Sequence, residues 1–453
     1  MQTFDLIVIG AGSGLNVSSA AADMDLKVAV VEKGPMGGTC LNRGCIPSKI
    51  IIHSADVAET IKKSKAFGIN SKINSVDFAK ITSRASGIVD KEAKEIEEAI
   101  IEDKNTTLFK VEAKFIGERT LKVGNETIKG DKVIIAAGTR PSVPPIEGLS
   151  EVNYITSDEA LRLKKQPKIM TILGGGYIAA ELAHFYGALG TKINIVQRAK
   201  FLIPNEDEEI SQKFTEIFKK KYNVFTEHNA TKISKKGKKF VVVAESKNKK
   251  KKLISDALLI ATGRIPNTDV LDVKKTNVEV DDKGFIKTNE YLETTAKNIW
   301  ALGDIVGRYL FKHSANLEAE YVYYNTVLNK KIKVDYTAMP HAIFSNPQIA
   351  GVGLREQDLK GKKTDYAVGR YEFIKSGMGL ALQDDEGFVK IFADRKIRKI
   401  LGCSILGSNA STLIHGVVIA MKAGLTVDSL SKAVHIHPAL SEVVQRAVNN
   451  IEW

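Results

Sequence analysis

Two distant segments of the chain share one alternation of apolar and polar positions. Residues 4–33 contain an apolar run, a glycine turn, a small-residue stretch and a second apolar run, in FDLIVIGAGSG, LNVSSAAADMD and LKVAVVEKG. Residues 168–199 repeat this plan in KIMTILGGGYIAAELAHFYGALGTKINIVQRA. Short apolar runs of this kind are typical of buried parallel strands, and the stretch between them predicts a crossover helix. The pattern predicts two βαβ units, each the core of a nucleotide-binding domain.

A related strand follows each unit at a distance. DKVIIAAGTRP, residues 131–141, and DALLIATGRIPN, residues 256–267, both end in small residues. The two halves therefore form an internal repeat at the level of whole domains. Beyond about residue 335 the pattern changes to alternating strands such as DYAVGRYEFI and GFVKIFAD, followed by helices. This change predicts a third domain of α+β type.

Composition and charge limit the class of protein. The 453-residue chain is 43% hydrophobic and 26% charged, which is ordinary for a soluble protein of about two to four domains. The net charge is +13, but the basic residues are scattered apart from SKNKKKKL at residues 246–253. That run lies between the strand-like stretches KFVVVAE and ISDALLIATG, which favours a solvated hairpin tip. We predict no nucleic-acid partner, because no nucleic-acid module accompanies the run.

The sequence also favours a cytoplasmic protein. The start MQTFDLIVIGAG carries Asp5 and no basic run, so it predicts a first strand and not a secretion signal. The longest apolar stretch, residues 169–190, is interrupted by Glu181 and His184, and we predict no membrane span. Three cysteines are too few for a disulfide scaffold and fit a reducing compartment.

The first glycine turn has the features of a dinucleotide-binding site. Gly10, Gly12 and Gly14 follow a predicted strand and open a predicted helix, where a pyrophosphate can approach the backbone. Glu32 ends the next strand, where an acid can bind ribose hydroxyls. Leu15 occupies the third glycine position of the common pattern, which predicts slightly wider packing between strand and helix.

The second glycine turn, with Gly174, Gly176 and Ala179, predicts a second nucleotide site. Here Gln197 stands where a ribose-binding acid is expected, and Arg198 follows it. Without a carboxylate a 2′-phosphate is no longer repelled, and an arginine can accommodate it. This favours NADP over NAD; the alternative is a glutamine that bonds a hydroxyl beside a surface arginine.

Two of the cysteines lie in GGTCLNRGCIPSK, residues 37–49. Cys40 and Cys45 cannot close a zinc site alone, and Cys403 in the apolar run KILGCSILG is interpreted as a core residue. We predict no metal site. The spacing allows a redox pair, and it is also compatible with two thiols that share a loop. A helix predicted to start near Cys45 would favour its thiolate.

Near the end of the chain, HIHPALSEV at residues 435–443 contains a candidate acid–base pair. Pro438 suits the first position of a helix, which would leave His437 in the turn before it. Glu442 is near enough in sequence to bond the imidazole and raise its basicity. Such a pair can move protons on and off a thiol, although a histidine so spaced from a glutamate is also common on surfaces.

Taken together, these motifs resemble the flavin-dependent disulfide oxidoreductases. The resemblance covers roughly residues 3–450, in the family's order: a glycine-rich βαβ unit, G-G-T-C-x-N-x-G-C-I-P-S-K, a second unit, ALGD and H-P-x-L-S-E. Within the family the motifs are most similar to those of dihydrolipoamide dehydrogenases. The resemblance implies an α/β fold with Rossmann-like FAD- and NAD(P)-binding domains and an α+β dimerisation domain. The expected boundaries are 1–149 and 272–336 for the FAD-binding domain, 150–271 for the NAD(P)-binding domain and 337–453 for the dimerisation domain.

The resemblance also implies roles for individual residues. Cys45 would exchange electrons with the flavin, Cys40 would attack the substrate, and His437 with Glu442 would be the acid–base pair, supplied by the other subunit of a homodimer. Lys49, paired with Glu181, would reach the flavin N5, and Tyr177 would lie over the flavin face that nicotinamide approaches. The cofactor-binding residues implied are Gly10, Gly12, Gly14, Glu32, Lys49, Gly138 and Asp304 for FAD, and Gly174, Gly176, Tyr177, Ala179, Gln197, Arg198 and Gly263 for NAD or NADP.

The implied reaction is the oxidation of dihydrolipoamide, free or protein-bound, through a Cys40–Cys45 disulfide, FAD and NAD(P)⁺. The alternative is an NADPH-dependent reductase of another small disulfide or of a metal ion such as mercuric ion. Two features bear on this choice. The stretch FKHSANLEAEYV after Asp304 is more similar to the mycothiol and mercuric branches than to typical dihydrolipoamide dehydrogenases. The ending QRAVNNIEW, however, lacks the cysteine pair of mercuric reductases. Arg43 adds positive charge between the cysteines.

Overall fold

The computed structural model describes residues 1–247 and 249–453. Residue 248, within the basic run 246–253, lies outside the described residues. The strands of the described chain are β1 Gln2–Ile9, β2 Val28–Val31, β3 Thr106–Phe109, β4 Ala113–Gly117, β5 Thr120–Val123, β6 Glu126–Ile135, β7 Thr139–Pro141, β8 Ile169–Leu173, β9 Lys192–Gln197, β10 Asn223–Thr226, β11 Asn229–Lys236, β12 Lys239–Glu245, β13 Lys250–Ser255, β14 Ala257–Ile260, β15 Arg264–Pro266, β16 Ile299–Ala301, β17 Pro340–Ile343, β18 Gln348–Gly353, β19 Tyr366–Glu372, β20 Phe388–Asp394 and β21 Ile400–Gly407.

The α-helices lie between groups of these strands along the chain. Their bounds are α1 Gly14–Ala22, α2 Gly38–Arg43, α3 Cys45–Lys63, α4 Phe78–Glu102, α5 Ser157–Ala160, α6 Tyr177–Ala188, α7 Glu208–Lys221, α8 Lys312–Thr326, α9 Glu356–Gly361, α10 Gly377–Leu382, α11 Ala410–Lys422, α12 Val427–Lys432 and α13 Glu442–Asn449. No described helix is long and apolar enough to cross a membrane.

The first sheet is built around the first βαβ unit. Its order is β3-β2-β1-β6-β5-β4, and β16 pairs with β6. The strands β3, β2, β1, β6 and β16 run parallel, and β1 is buried from Ile7 to Ile9 because both faces are covered. The pairing of β16 with β6 returns a late segment of the chain to the first unit, so that Asp304 lies beside the end of β6.

The second unit forms the parallel sheet β10-β9-β8-β14, with an antiparallel sheet β11-β12-β13 next to it in the chain. The strands β12 and β13 pair antiparallel as a hairpin requires, but β13 begins at Lys250, so residues 250–253 of the basic run belong to this strand and not to the hairpin tip. Between β8 and β9 runs α6, most of whose residues are buried. This burial explains why its sequence is apolar on nearly every side.

The third region is the antiparallel sheet β17-β18-β21-β20-β19, against which α11 and α13 pack. Cys403 lies in β21 with 1% of its surface exposed, so the prediction of a core cysteine is confirmed. The mixed architecture of two parallel α/β sheets and an α+β region confirms the predicted fold class. The boundaries 149/150, 271/272 and 336/337 stay predictions.

The two glycine turns have the same local geometry. Gly10 has φ +104°, and a Cβ there would lie 2.3 Å from the Ala136 carbonyl oxygen. Gly174 has φ +108°, and its Cβ would lie 2.1 Å from the Ala261 carbonyl oxygen. Both positions need glycine for the positive φ and for the close approach of a neighbouring strand end. The internal repeat predicted from the sequence therefore extends to these backbone contacts.

The expectation that Leu15 widens the first strand–helix contact stays a prediction, and the structure shows a close approach at the neighbouring Gly14. The helix α1 begins at Gly14, and a Cβ at Gly14 would lie 2.8 Å from Val8 Cγ1 and 3.0 Å from Ala136 Cβ. Gly14 therefore makes the close packing possible one residue earlier than in the common pattern. Leu15 is half-buried beside it.

Candidate active site

One cleft of about 1360 Å³ connects the two glycine turns. The sequence-predicted residues that line it are Gly10, Gly12, Glu32, Cys40, Cys45, Lys49, Gly138, Gly174, Gly176, Tyr177, Glu181, Gln197, Arg198, Gly263 and Asp304. Gly14 and Ala179 lie behind the turns, where they are buried in α1 and α6. His437 and Glu442 are not among the described residues that line this cleft.

The two thiols lie at the junction of two consecutive helices. Cys40 is in the short helix α2, Cys45 is the first residue of α3, and Gly44 joins them. The confirmed start of α3 at Cys45 directs the positive end of the helix dipole towards that sulfur. Both cysteines are free thiols in this structure, Cys45 exposed to the cleft and Cys40 half-buried.

A hydrogen bond between the two thiols makes them chemically unequal. It lowers the pKa of Cys45 to about 7, assisted by the charge of Lys49, and it raises the pKa of Cys40, which burial raises further. Cys45 is therefore the thiolate of the pair near neutral pH. Cys40 holds its proton, so a base must remove that proton before Cys40 can act as a nucleophile.

The family resemblance implies that Cys45 contacts the flavin, and with that contact the asymmetry predicts a pH dependence in the FAD-bound, two-electron-reduced protein. The long-wavelength absorbance that a thiolate gives in contact with oxidised flavin should be present above about pH 7 and lost as the pH falls below it, because Cys45 becomes protonated. Lys49→Met should move this midpoint up by roughly one pH unit or more. Lys63→Met, at the far end of α3, is the matched control. An absorbance independent of pH between 5 and 9 would contradict the prediction.

Lys49 and Glu181 form an ion pair between the two nucleotide-binding units. Lys49 lies one helical turn after Cys45, so both side chains share a face of α3. Its Nζ donates to both carboxylate oxygens of Glu181 in α6 at 2.9 Å. The Phe344 N–H also donates to Glu181, at 3.0 Å, and the Phe344 ring lies 4.5 Å from Lys49 Nζ. Three regions of the chain thus hold one cation beside Cys45.

Glu32 orders the loop around the first glycine turn. Its Oε2 accepts the Ala11 N–H at 2.9 Å, and its Oε1 accepts the Gly34 N–H at 2.7 Å. Each carboxylate oxygen has a second lone pair, so the group can still accept hydrogen bonds from ribose hydroxyls. The position at the end of β2 fits the adenosine half of a dinucleotide.

Asp304 follows β16 and lies in a polar group that the sequence did not predict. The Thr139 hydroxyl donates to Asp304 at 3.0 Å, and Arg264 Nε lies 4.0 Å from the same carboxylate. Burial raises the pKa of Asp304, and the arginine opposes this effect. Thr139 belongs to the strand end AAGTRP and Arg264 to the strand end ATGRIPN. The similarity of these two segments was the feature of the sequence from which their proximity could have been predicted.

Gln197 and Arg198 lie at the opposite end of the cleft. Gln197 is buried, its Oε1 accepts the Arg198 N–H at 3.0 Å, and its Nε2 donates to the Phe201 carbonyl at 3.4 Å. Arg198 has an exposed side chain at the cleft wall. This end of the cleft therefore offers an amide and a cation, and no carboxylate at residue 197.

His437 and Glu442 are paired as predicted, but outside the cleft. His437 Nδ1 lies 3.1 Å from both carboxylate oxygens of Glu442, and Oε2 of this carboxylate also accepts the Ala439 N–H at 3.2 Å. The side chain of His437 is 73% exposed. The prediction that Pro438 opens a helix is wrong: α13 begins at Glu442, because the N–H groups of residues 442–444 bond carbonyls three residues back and form a turn first.

Comparison with known families explains this constellation. The model of the pyridine nucleotide-disulphide oxidoreductases matches residues 4–335, and the model of their dimerisation domain matches residues 339–448. The chain belongs to this family. As a pyridine nucleotide-disulphide oxidoreductase it uses FAD and a nicotinamide nucleotide, which fits the two glycine turns that open into one cleft.

Several relatives of this oxidoreductase cover it almost completely. Mycothione reductase of Mycobacterium tuberculosis is 35% identical over 460 residues, covering 99% of both chains. Dihydrolipoyl dehydrogenase of Bacillus subtilis is 32% identical, covering 98% of this chain and 95% of the relative. Mercuric reductase of Staphylococcus aureus is 32% identical, covering 98% and 82%. The Cu(II) complex of the HOCl-induced flavoprotein disulfide reductase RclA from Escherichia coli superposes with a TM-score of 0.88 at 28% identity over 99% of both chains.

Lys312 is a further residue of the oxidoreductase cleft that the sequence reasoning did not single out. It is the first residue of α8, its Nζ donates to Ser13 Oγ at 3.0 Å, and its charge acts on both thiols. Burial lowers the pKa of Lys312. It lies within FKHSANLEAEYV, the stretch that the sequence had marked as unusual for a dihydrolipoamide dehydrogenase.

Proposed function

We propose that this flavin disulfide oxidoreductase is an NADPH-dependent reductase of a small disulfide. The observation that carries the proposal is the Gln197–Arg198 end of the cleft, where no carboxylate repels a 2′-phosphate and an arginine can bind it. Cations beside the thiols, Arg43 and Lys312, favour a substrate with acidic groups. Part of the Arg43 charge is compensated by Asp158, 3.4 Å away.

The proposed chemistry is thiol–disulfide exchange at Cys40. FAD, when bound, would pass two electrons from NADPH to the Cys40–Cys45 disulfide, so that the disulfide, NADPH and one proton from solvent give the dithiol and NADP⁺. The Cys40 thiolate then attacks one sulfur of the substrate disulfide, forming a mixed disulfide and releasing one thiol. The Cys45 thiolate attacks the Cys40 sulfur, which releases the second thiol and restores the Cys40–Cys45 bond. Two electrons and two protons thus reach each substrate disulfide.

The base for Cys40 is proposed to be the partner's His437 in a homodimer. Within the described chain, His228 is the histidine that lines the cleft, and it lies at the nucleotide end, where its N–H bonds the Gln197 carbonyl. The chain's own His437 is exposed and paired with Glu442, outside the cleft. The exposed His437 of one subunit can remove the proton that Cys40 holds in the cleft of the other subunit. The dimerisation domain supports this arrangement.

Oxidation of dihydrolipoamide is the second candidate. It is supported by the cysteine and His–Pro–Glu motifs and by the similarity to the dihydrolipoyl dehydrogenase of Bacillus subtilis. Reduction of a metal ion is a third candidate, supported by the similarity to the mercuric reductase of Staphylococcus aureus.

The test is anaerobic steady-state turnover of the FAD-bound protein. NADPH and NADH oxidation should be followed with glutathione disulfide, cystine, lipoamide and Hg²⁺, and the reverse reaction with dihydrolipoamide and NAD⁺ or NADP⁺. We expect rapid NADPH oxidation with an acidic small disulfide. Rapid NAD⁺ reduction by dihydrolipoamide, with no disulfide turnover by NADPH, would replace the first candidate by the second.

The dinucleotide assignment predicts the effect of Gln197→Glu. A carboxylate there should repel the 2′-phosphate and raise the KM for NADPH about tenfold or more, while the KM for NADH is unchanged or lower. Gln212→Glu, an exposed residue of α7, introduces the same charge away from the cleft and is the control. Equal effects on both nucleotides would show that residue 197 does not contact the 2′ position.

A further inference from the structure

Lys312 reaches the two thiols from the start of α8. It lines the same cleft as Cys40 and Cys45, and its Nζ donates to Ser13 Oγ at 3.0 Å. The Ser13 hydroxyl in turn donates to Asn316 Oδ1 at 2.9 Å, one helical turn after Lys312. The ammonium group is therefore fixed on the first glycine turn, to which Ser13 belongs.

The first glycine turn also connects Lys312 to the helix that carries Cys40. Gly38 is the first residue of α2, and it packs so closely against the turn that a Cβ there would lie 2.8 Å from Gly12 Cα. Cys40 follows Gly38 by two residues in a helix of only six. The turn therefore fixes the lysine and this thiol relative to each other.

Three cations line the cleft beside the thiols, and they differ in how their charge is compensated. Lys49 donates to both carboxylate oxygens of Glu181 at 2.9 Å, and Arg43 lies 3.4 Å from Asp158. Lys312 has no carboxylate partner among the described residues, and the charged groups that act on it are the two thiols. Lys312 therefore contributes the least compensated positive charge of the three.

The stability of α8 does not explain a lysine at this position. A cation in the first turn of a helix is unfavourable, because it lies at the positive end of the helix dipole. No side chain caps this helix at Phe311, and burial lowers the pKa of Lys312. A charge kept under these conditions needs an anion nearby. The anions that this part of the described chain offers are the thiolates of Cys40 and Cys45.

We propose that Lys312 stabilises the thiolate form of the reduced Cys40–Cys45 pair and so raises the potential at which their disulfide is reduced. The inference deepens the proposed function, because it rests on the redox role proposed for these two thiols. Lys312 acts in this way before any substrate is bound. An attraction of acidic substrates by the same lysine is a separate effect.

The charge balance of the reduction gives this effect a pH signature. At pH 9 the disulfide takes up two electrons and one proton: the S–S bond breaks, Cys40 Sγ binds the proton and Cys45 remains a thiolate, since its pKa is about 7. The product is then an anion, which a nearby cation favours over the neutral disulfide. At pH 5.5 a second proton binds Cys45, the product is neutral, and Lys312 favours neither form.

The test is an anaerobic redox titration of the FAD-bound protein with dithionite and mediator dyes at pH 9 and pH 5.5. Lys312→Met should lower the first two-electron midpoint potential at pH 9 by about 30 mV, which corresponds to a tenfold change in the equilibrium constant. At pH 5.5 the change should be less than about twofold, or about 10 mV.

The other charged groups that face the thiols are unchanged in these variants. They are Arg43 with Asp158, Lys49 with Glu181 and, in the proposed dimer, the partner's His437.

Three further variants separate the charge from the fold. Lys312→Gln keeps a donor for Ser13 without the charge, so it should behave like Lys312→Met. Lys312→Arg keeps the charge and should stay within about 10 mV of the wild type at both pH values. Lys330→Met is the control, because it removes an exposed lysine beyond the other end of α8, outside the cleft.

Three results would overturn the proposal. An equal shift at both pH values would indicate a structural effect, and a wild-type potential in Lys312→Gln would assign the role to the hydrogen bond. A shift confined to the second two-electron step would assign the charge to the flavin. The potentials need no disulfide substrate, so failure of the proposed reductase activity would appear separately, as an absence of turnover. A wild-type protein that takes up only two electrons would contradict the redox role of the thiols and this inference together.

Discussion

Cys40→Ser and Cys45→Ser should each lower disulfide turnover by at least about a thousandfold, since each removes a sulfur that must form and break bonds in every cycle. Flavin reduction by NADPH should persist in both variants, because the nucleotide end of the cleft is unchanged. Cys45→Ser should in addition lose the long-wavelength thiolate absorbance, since Cys45 is the thiol with the pKa near 7.

The control for the sulfur chemistry is Cys403→Ala. Cys403 is buried in β21, and burial raises its pKa, so it is an unreactive core thiol. This variant should retain turnover and lose only a little stability, as for the removal of one small buried atom. Full turnover by Cys40→Ser would show that the substrate does not exchange with this thiol.

His437→Gln should lower turnover by about a hundredfold to ten-thousandfold, because general acid–base catalysis contributes that much and Cys40 holds its proton. Glu442→Gln should have a smaller effect in the same direction. The bond to His437 lowers the pKa of Glu442, so the carboxylate is charged and orients the imidazole. His435→Ala is the matched control, since His435 is an exposed neighbour bonded to the Ala433 carbonyl.

Mixing two inactive variants tests whether the histidine acts across a dimer. A heterodimer of Cys45→Ser and His437→Gln chains has one complete site if His437 serves the other subunit, and none if it serves its own. Random reassociation of equal amounts should therefore recover about a quarter of the wild-type activity. No recovery, in a sample shown to contain heterodimers, would place the histidine and the thiols in one chain.

Much of the fold could be predicted because it depends on local patterns. The apolar runs at β1, β2, β8 and β9 and the glycine turns after β1 and β8 follow from strand burial and from the positive φ of Gly10 and Gly174. The helix start at Cys45 was predictable because the residues that follow it have a local pattern typical of a helix. Pro438 shows the limit of such reasoning, because a proline suits a turn as well as a first helical position, and the sequence alone does not distinguish them.

The candidate site was predictable in its chemistry but not in its assembly. Cys40, Cys45 and Lys49 lie close together in sequence, and so do His437 and Glu442, so the spacing within each group indicates which side chains can cooperate. The contacts of Thr139 with Asp304 and with Arg264 join residues more than a hundred positions apart. No periodicity encodes such a contact, because it arises from the pairing of β16 with β6 and of β7 with β15.

The sequence by itself determined the two nucleotide-binding units, the candidate reactive thiols and the side chains that could serve them, since these depend on residue type and short spacing. Only the tertiary structure decided that Gly14 packs against Val8 of β1, that Lys49 bonds Glu181, and that Thr139 bonds Asp304. The physical reason is the same in each case: these contacts depend on how separate elements pack, and packing brings together side chains whose distance along the chain carries no signal.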